Sequence, residues 1–245
     1  MSRLQAQIQV EEGTRVIRPN YQSVTGWIAG NNKHETVQFE STLERDCAYL
    51  AMFEPRITKV ISQPITILFN RKPGRAVKYT PDFELTYLDN GTPKKAIIEV
   101  KPIEKLHENI KKLSHKFEAM KTFAAANEAT FHVLTENQLR EGMISNVKAL
   151  YARIYDRSLD TDNISEFLRK LEPVLPITMK DALILRGESR EQQARTQTII
   201  WSLLAGHEIY VDLSEKITPD TLIETRKIVR ERDLFFLKGE DWENV

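Results

Sequence analysis

The tetrapeptide Asp89-Asn90-Gly91-Thr92 constrains this chain more than any other stretch. Asn-Gly favours a two-residue hairpin loop, because both residues tolerate the positive φ that such a turn needs. Lys78–Leu88 and Lys95–Lys101 read as the flanking strands. A loop at Asn90-Gly91 fixes their register and sets Asp82 directly opposite Glu99. Side chains alternate faces along a strand, so Lys101 shares the face of Glu99. Two carboxylates and one amine are therefore expected on one face of one hairpin. Pro93 pulls against this register, since proline near the loop suits a longer loop or an edge strand.

That grouping suits phosphodiester hydrolysis. A hard divalent cation held by one or two carboxylates, with water and phosphate oxygens completing its shell, is the usual device. A neighbouring lysine orients or deprotonates the water and offsets developing charge. The competing reading is a solvated hairpin whose Asp, Glu and Lys form cross-strand ion pairs. The apolar setting favours the first. Glu99 follows Ala96-Ile97-Ile98 and precedes Val100, and a charge inside such a strand is costly unless paired or metal-bound.

Around the hairpin the pattern reads helix, three strands, helix, strand. Residues 42–54 have apolar residues at helical spacing. Val60–Phe69 reads as a strand, with Pro64 marking an edge or a bulge. From Pro102, apolar residues Ile103, Leu106, Ile110, Leu113, Phe117 and Met120 recur every three or four positions, the clearest amphipathic helix in the chain. Thr130–Thr135 reads as a buried strand and Gln138–Tyr155 as further helix. Glu44 has two readings: a capping box in which it bonds back to the Ser41 amide, or a third carboxylate pointing over the sheet toward Asp82. Gln63, before Pro64, is an accessory candidate.

With these residues in place, the chain resembles the restriction-endonuclease-like PD-(D/E)xK nucleases, with an αβββαβ core. Residues 14 to about 155 look more narrowly like TnsA, the endonuclease subunit of heteromeric bacterial transposases. The matching stretches are Ser41-Thr42-Leu43-Glu44, Thr80-Pro81-Asp82-Phe83 and Glu99-Val100-Lys101-Pro102. TnsA proteins carry Gln in some cases where this chain has Glu99. The resemblance implies catalytic Glu44, Asp82, Glu99 and Lys101. It implies Mg²⁺, replaceable by Mn²⁺, on Glu44, Asp82, Glu99 and the Val100 carbonyl. It further implies cutting of the 5′, non-transferred strand at transposon ends in double-stranded DNA. The implied partners are a DDE transposase subunit, TnsB, and an ATP-dependent regulator, TnsC. One rival is another nuclease of this fold, a junction resolvase or restriction enzyme working without a transposase. A second is a non-catalytic winged-helix DNA-binding regulator, which intact Glu44, Asp82, Glu99 and Lys101 disfavour.

The net charge of zero hides an asymmetry. Residues 1–159 hold 23 Lys/Arg against 18 Asp/Glu, and residues 160–245 hold 12 against 17, so the halves carry +5 and −5. This points to a nucleic-acid face on the first half and other work for the second. Arg75 and Lys78 before the motif, and Lys105, Lys112 and Lys116 on the long helix, are the candidate phosphate contacts. The single Cys47 excludes an intramolecular disulfide. The N-terminus lacks an apolar signal-peptide core and no stretch approaches a membrane span, so a cytoplasmic location is expected, and the TnsA resemblance implies a bacterial one. The expected domains are a nuclease at 1–159 and a mainly helical, winged-helix-like docking domain at 160–245. The latter's elements are expected as helices at Ile164–Leu171, Thr178–Leu185, Arg190–Leu204 and Pro219–Arg232, with a strand at Glu208–Leu213. Deleting about residues 163–245 is expected to leave metal-dependent chemistry possible in principle while uncoupling it from the transposition complex.

Overall fold

The computed structural model describes residues 8–12, 24–31, 33–72, 75–140, 143–154, 161–224 and 234–244. The fold is mixed α/β, in two compact units: residues 1–141 with 234–245, and residues 142–233. This division falls earlier in the chain than 159/160, and the last residues return to the first unit.

The first unit runs β1 (Gln9–Glu12), β2 (Gly26–Ile28), β3 (Val37–Phe39), α1 (Thr42–Phe53), β4 (Ile57–Ser62), β5 (Ile65–Lys72), β6 (Arg75–Tyr79), β7 (Phe83–Asp89), β8 (Thr92–Val100), α2 (Ile103–Ala126), β9 (Ala129–Leu134) and α3 (Glu136–Leu139). Its main sheet has the order β4-β7-β8-β9. The first three strands are antiparallel, and β9 runs parallel to β8. A parallel neighbour needs a long crossover, which α2 supplies. The αβββαβ order is therefore present, interrupted by an inserted ribbon. Strands β5 and β6 belong to a separate sheet of order β1-β5-β6.

That insertion corrects two expectations. Val60–Phe69 is not one strand: it changes sheet between Ser62 and Ile65, where Gln63 takes φ 46°. Lys78–Leu88 is likewise two strands in two sheets, broken at Thr80–Asp82. The hairpin beyond the break is as expected. Asn90 and Gly91 have φ 49° and 82°, the positive pair a tight hairpin loop requires. The pairs Asp89↔Thr92 through Phe83↔Ile98 hold one unbroken register, and Pro93 is accommodated opposite Leu88.

Helix α2 buries Leu106, Phe117, Met120 and Ala124 against Ile67, Phe69, Tyr79, Ile97 and Val133. The apolar spacing thus does the work expected of it. Strand β8 is buried from Ala96 through Val100, including Glu99. The tail completes this core. Trp242 lies in the same cluster, 5.3 Å edge-on from Phe117, and Phe236 packs 5.1 Å from Tyr87.

The second unit contains α4 (Met143–Tyr151), α5 (Thr161–Leu171), β10 (Ile177–Thr178), α6 (Met179–Leu183), α7 (Arg190–Ala205) and β11 (Leu222–Ile223). The helix expected over Gln138–Tyr155 is two helices, α3 and α4, one in each unit. Ser189 and Gln192 form a capping box that starts α7, and Gly206 follows its last turn. Glu208–Leu213 is not a regular strand; among the described residues only Tyr210 pairs, with Glu224. The helix expected from Pro219 is replaced by a turn and β11, which pairs with β10. Pro219 opens a turn closed by Thr221 N–H on the Thr218 carbonyl, so the chain enters an extended pairing instead. Residues 225–232 of that expected helix lie outside the described residues.

Candidate active site

The hairpin register carries the chemistry to one place. Asp82 sits just before β7, opposite Glu99, and its amide donates to the Ile98 carbonyl at 3.1 Å. Gln63 fixes it from the other side, its amide donating to the Asp82 carbonyl at 2.8 Å. Asp82, Glu99 and Lys101 line one cavity of about 630 Å³, together with Tyr79, Lys78 and Lys116.

Lys101 Nζ lies 2.9 Å from Glu99 Oε1, and the Tyr79 hydroxyl donates to Glu99 Oε2 at 2.8 Å. Asp82 Oδ2 accepts the Val100 amide at 2.7 Å. Burial pushes the Asp82 carboxyl well above the usual range, and the charges of Glu99 and then Glu44 push it further. Burial works against the Lys101 ammonium, but Glu99, Asp82 and Glu44 outweigh it, and its pKa is raised. Burial, followed by the Glu99 charge, holds the Tyr79 hydroxyl protonated.

Of the two readings of Glu44, the capping box is not formed as expected. The Ser41 hydroxyl caps α1 by accepting the Glu44 amide at 3.1 Å. The Glu44 carboxylate departs from a capping box: Oε2 accepts the Glu40 amide at 2.7 Å, not that of Ser41. Burial raises its pKa, and it acts electrostatically on Asp82 and Lys101 without lining the cavity. Gln63 is buried, and its Oε1 makes no hydrogen bond among the described residues.

The basic candidates divide. Lys78 edges the cavity and pairs with Glu11 at 2.8 Å. Lys116 stands 5.8 Å above the Tyr79 ring, a cation–π arrangement. Lys105 and Lys112 are exposed on α2 away from the cavity lining. The Arg75 side chain lies outside the described residues. Tyr79 and Glu11 went unread in the sequence. Tyr79 immediately precedes Thr80-Pro81-Asp82, but nothing local announces that its hydroxyl reaches a strand in the other sheet.

Among the described residues, no three His, Cys, Asp or Glu side chains stand ready as a metal cage. The donors still suit Mg²⁺. They are all hard oxygens, and this ion needs only one or two carboxylates with water and substrate oxygens. Cys47, a soft ligand, is fully buried in α1, its thiol pushed up by burial and then by the Asp82 charge.

Residues 54–136 match the family described as TnsA-like endonuclease N terminal. The match includes Asp82, Glu99 and Lys101 and stops short of Glu44. By it, this stretch is similar to the nuclease domain of TnsA-type proteins, in line with the motif resemblance. No curated protein matches the chain. No helix among the described residues is long and apolar enough to cross a membrane.

Proposed function

We propose that this chain is the metal-dependent DNA endonuclease of a heteromeric transposase, cutting the 5′, non-transferred strand at transposon ends. The observation that carries the reading is the convergence of Asp82, Glu99 and Lys101 on one cavity edged by Lys78 and Lys116. Asp82 and Glu99 would hold Mg²⁺ or Mn²⁺, with Glu44 adding charge behind Asp82. When bound, the ion supplies an activated water and a counter-charge for the phosphorane. Lys101, with its raised pKa, acts as a donor that orients the water and offsets charge on the phosphate oxygens. Lys116 and Lys78 offer positive charge to the flanking phosphates. The Val100 amide and the Tyr79 hydroxyl hold the carboxylates in place.

The second unit supports a winged-helix-like reading through its order of two helices, short strand, two helices and returning strand, with Tyr210 bridged to Glu224. Residues 142–233 hold 14 Lys/Arg against 15 Asp/Glu, so this unit has no surplus of positive charge for phosphates, which favours docking to TnsB- or TnsC-like partners. The test is nicking of a transposon-end duplex in Mg²⁺, with and without the cognate transposase. Asp82→Ala should stop the 5′ cut and leave complex assembly and 3′-end joining intact. Loss of all joining would make Asp82 structural. Cutting of branched or unrelated duplexes without any transposase would favour the resolvase or restriction reading.

A further inference from the structure

The ribbon that walls the cavity brings to its rim a carboxylate that the motifs do not contain. Glu11 on β1 pairs with Thr66 on β5, and Lys78 on β6 pairs with Leu68. Thr66 and Leu68 lie two positions apart on the middle strand of the order β1-β5-β6, so Glu11 and Lys78 share one face of this sheet. Their strands are about 10 Å apart, two strand spacings, and both side chains reach over β5 to meet. Lys78 Nζ donates to Glu11 Oε1 at 2.8 Å and to Oε2 at 2.9 Å. Both residues line the cavity that holds Asp82, Glu99 and Lys101.

A carboxylate at the rim is out of place beside a site for a polyanion. Three lysines line the cavity, and each is engaged: Lys101 on Glu99, Lys116 over the Tyr79 ring and Lys78 on Glu11. Glu99 belongs to the acidic cluster itself, and the Tyr79 ring leaves the charge of Lys116 uncancelled. Glu11 cancels a charge that a phosphate would use, and it offers Lys78 two oxygens, as a phosphate does. The side chains of the pair are 63 % exposed at Lys78 and 52 % at Glu11, and ion pairs this exposed contribute little to stability. The contact is therefore a poor device for holding the fold and an easy one to exchange for another anion.

We propose that Glu11 is an autoinhibitory contact: in the free chain it occupies Lys78 as a surrogate phosphate and withholds that lysine from DNA. The inference rests on the nuclease reading above, in which Lys78 meets a flanking phosphate. A duplex that touches the rim loosely meets a neutralised pair and gains no contact there. A duplex held by other contacts, close enough to set a phosphate against Lys78, displaces Glu11, which turns into solvent from its edge strand. The effect is to weaken the grip on DNA at large relative to DNA seated for cutting.

The test is fluorescence anisotropy of a labelled duplex with the full chain, without divalent ions, over a salt series. The chains compared are the parent, Glu11→Gln, Lys78→Gln and the double variant. Glu11→Gln should bind about tenfold tighter at about 50 mM NaCl and steepen the log–log salt slope by about 0.9, the value of one added phosphate contact. In the Lys78→Gln background the same substitution should gain about twofold or less, the remainder due to a screened charge. Unchanged or weaker binding by Glu11→Gln overturns the inference. So does an equal gain in both backgrounds, which would make Glu11 a general repelling charge. Either result leaves the nuclease reading standing. If the parent and Glu11→Gln both fail to bind duplex, that reading falls as well. Both positions are exposed, so Gln at either should leave the melting temperature unchanged. If Glu11→Gln melts lower, Glu11→Thr, a strand-favouring replacement, takes its place in the same comparison.

Discussion

A chain ending at residue 233 should lose the fold of its nuclease unit, not merely a tail. Residues 234–245 supply two aromatic anchors. Phe236 is fully buried, 5.1 Å from the Tyr87 ring and 5.7 Å from His132. Trp242 is 7 % exposed, sits edge-on to Phe117 and receives Lys121 at 5.9 Å. Between them, Glu240 Oε1 gathers Thr135, Asn137 and Gln138 at 2.7, 2.9 and 3.0 Å. Its amide also bonds the Val133 carbonyl at 2.8 Å. Deleting a buried Phe or Trp side chain costs about 3–5 kcal/mol. Two such losses, roughly 6–10 kcal/mol, compare with about 5–15 kcal/mol for a whole domain. Phe236→Ala is the measurable form of the argument. It should cost about 3–5 kcal/mol, and at about 2–4 °C per kcal/mol its Tm should fall by roughly 6–20 °C. The assay is thermal and urea unfolding of the full chain by circular dichroism, with the truncated chain alongside. A truncated chain melting within about 3 °C of the parent, against that scale, would refute the reasoning. The same packing bears on the expected deletion of residues 163–245, which would take these two anchors with it. A clean deletion of the second unit must keep residues 234–245.

The remaining expectations concern the site. Asp82→Asn should abolish cleavage and raise the stability of the metal-free protein by on the order of 1 kcal/mol, read as a higher Tm, because functional sites hold such strain. The sign follows from linkage. The folded pKa of Asp82 is raised, so its contribution to stability is fully present below the unfolded value of 3.8 and is lost as pH rises through the folded one. The stabilisation by Asn should therefore grow from acid toward neutral pH, and a pH-independent gain would contradict it. The same proton competes with a cation, so divalent-ion affinity should climb with pH beyond the ordinary carboxylate range, as direct titration would read. Glu44→Gln should remove cleavage with little change in Tm, since an amide oxygen can still take the Glu40 N–H; cleavage surviving at normal stability would remove Glu44 from the site. Duplex binding should weaken with salt at a log–log slope of roughly −3 to −5, for about three to five phosphate contacts, and a flat salt series would rule out the basic rim as the DNA contact.

What the sequence revealed was local. Asn90-Gly91 fixes the hairpin because its conformational demand is met within two residues, and the register carries Asp82 opposite Glu99 without further help. The spacing from Ile103 to Phe123 marks α2 because one helix face must bury it. The two sheet changes were not read, although a proline stands at each. Pro64 reads as a bulge and Pro81 reads as part of a motif. Alternating apolar residues continue across both breaks, since β5 and β6 also bury one face, and a period of two does not say which sheet a strand joins. Tyr210, Leu222 and Ile223 pair across a long stretch of chain, so Glu208–Leu213 and Pro219 onward look like elements they do not form. The tail was missed because its aromatic partners, Tyr87 and Phe117, lie far back in the chain.

The inserted ribbon explains why the site forms where it does. The chain leaves the main sheet after Ser62 and re-enters it at Phe83, and the Gln63 amide stitches exit to entry through the Asp82 carbonyl. Gln63 adopts a left-handed conformation that costs a residue with a side chain on the order of 1–3 kcal/mol. The stitch places Asp82 at the sheet's end rather than within it, where its Oδ2 can reach the Val100 amide across the register. It also leaves Tyr79, only three positions earlier, in the other sheet, with its hydroxyl on Glu99. An uninterrupted strand from Lys78 to Leu88 would pair Tyr79 with a residue beyond the end of β8, and could not bring its hydroxyl onto Glu99 from above. The two breaks are what convert a hairpin bearing two carboxylates into a walled cavity, with one sheet supplying Asp82, Glu99 and Lys101 and the other supplying Tyr79 and Lys78.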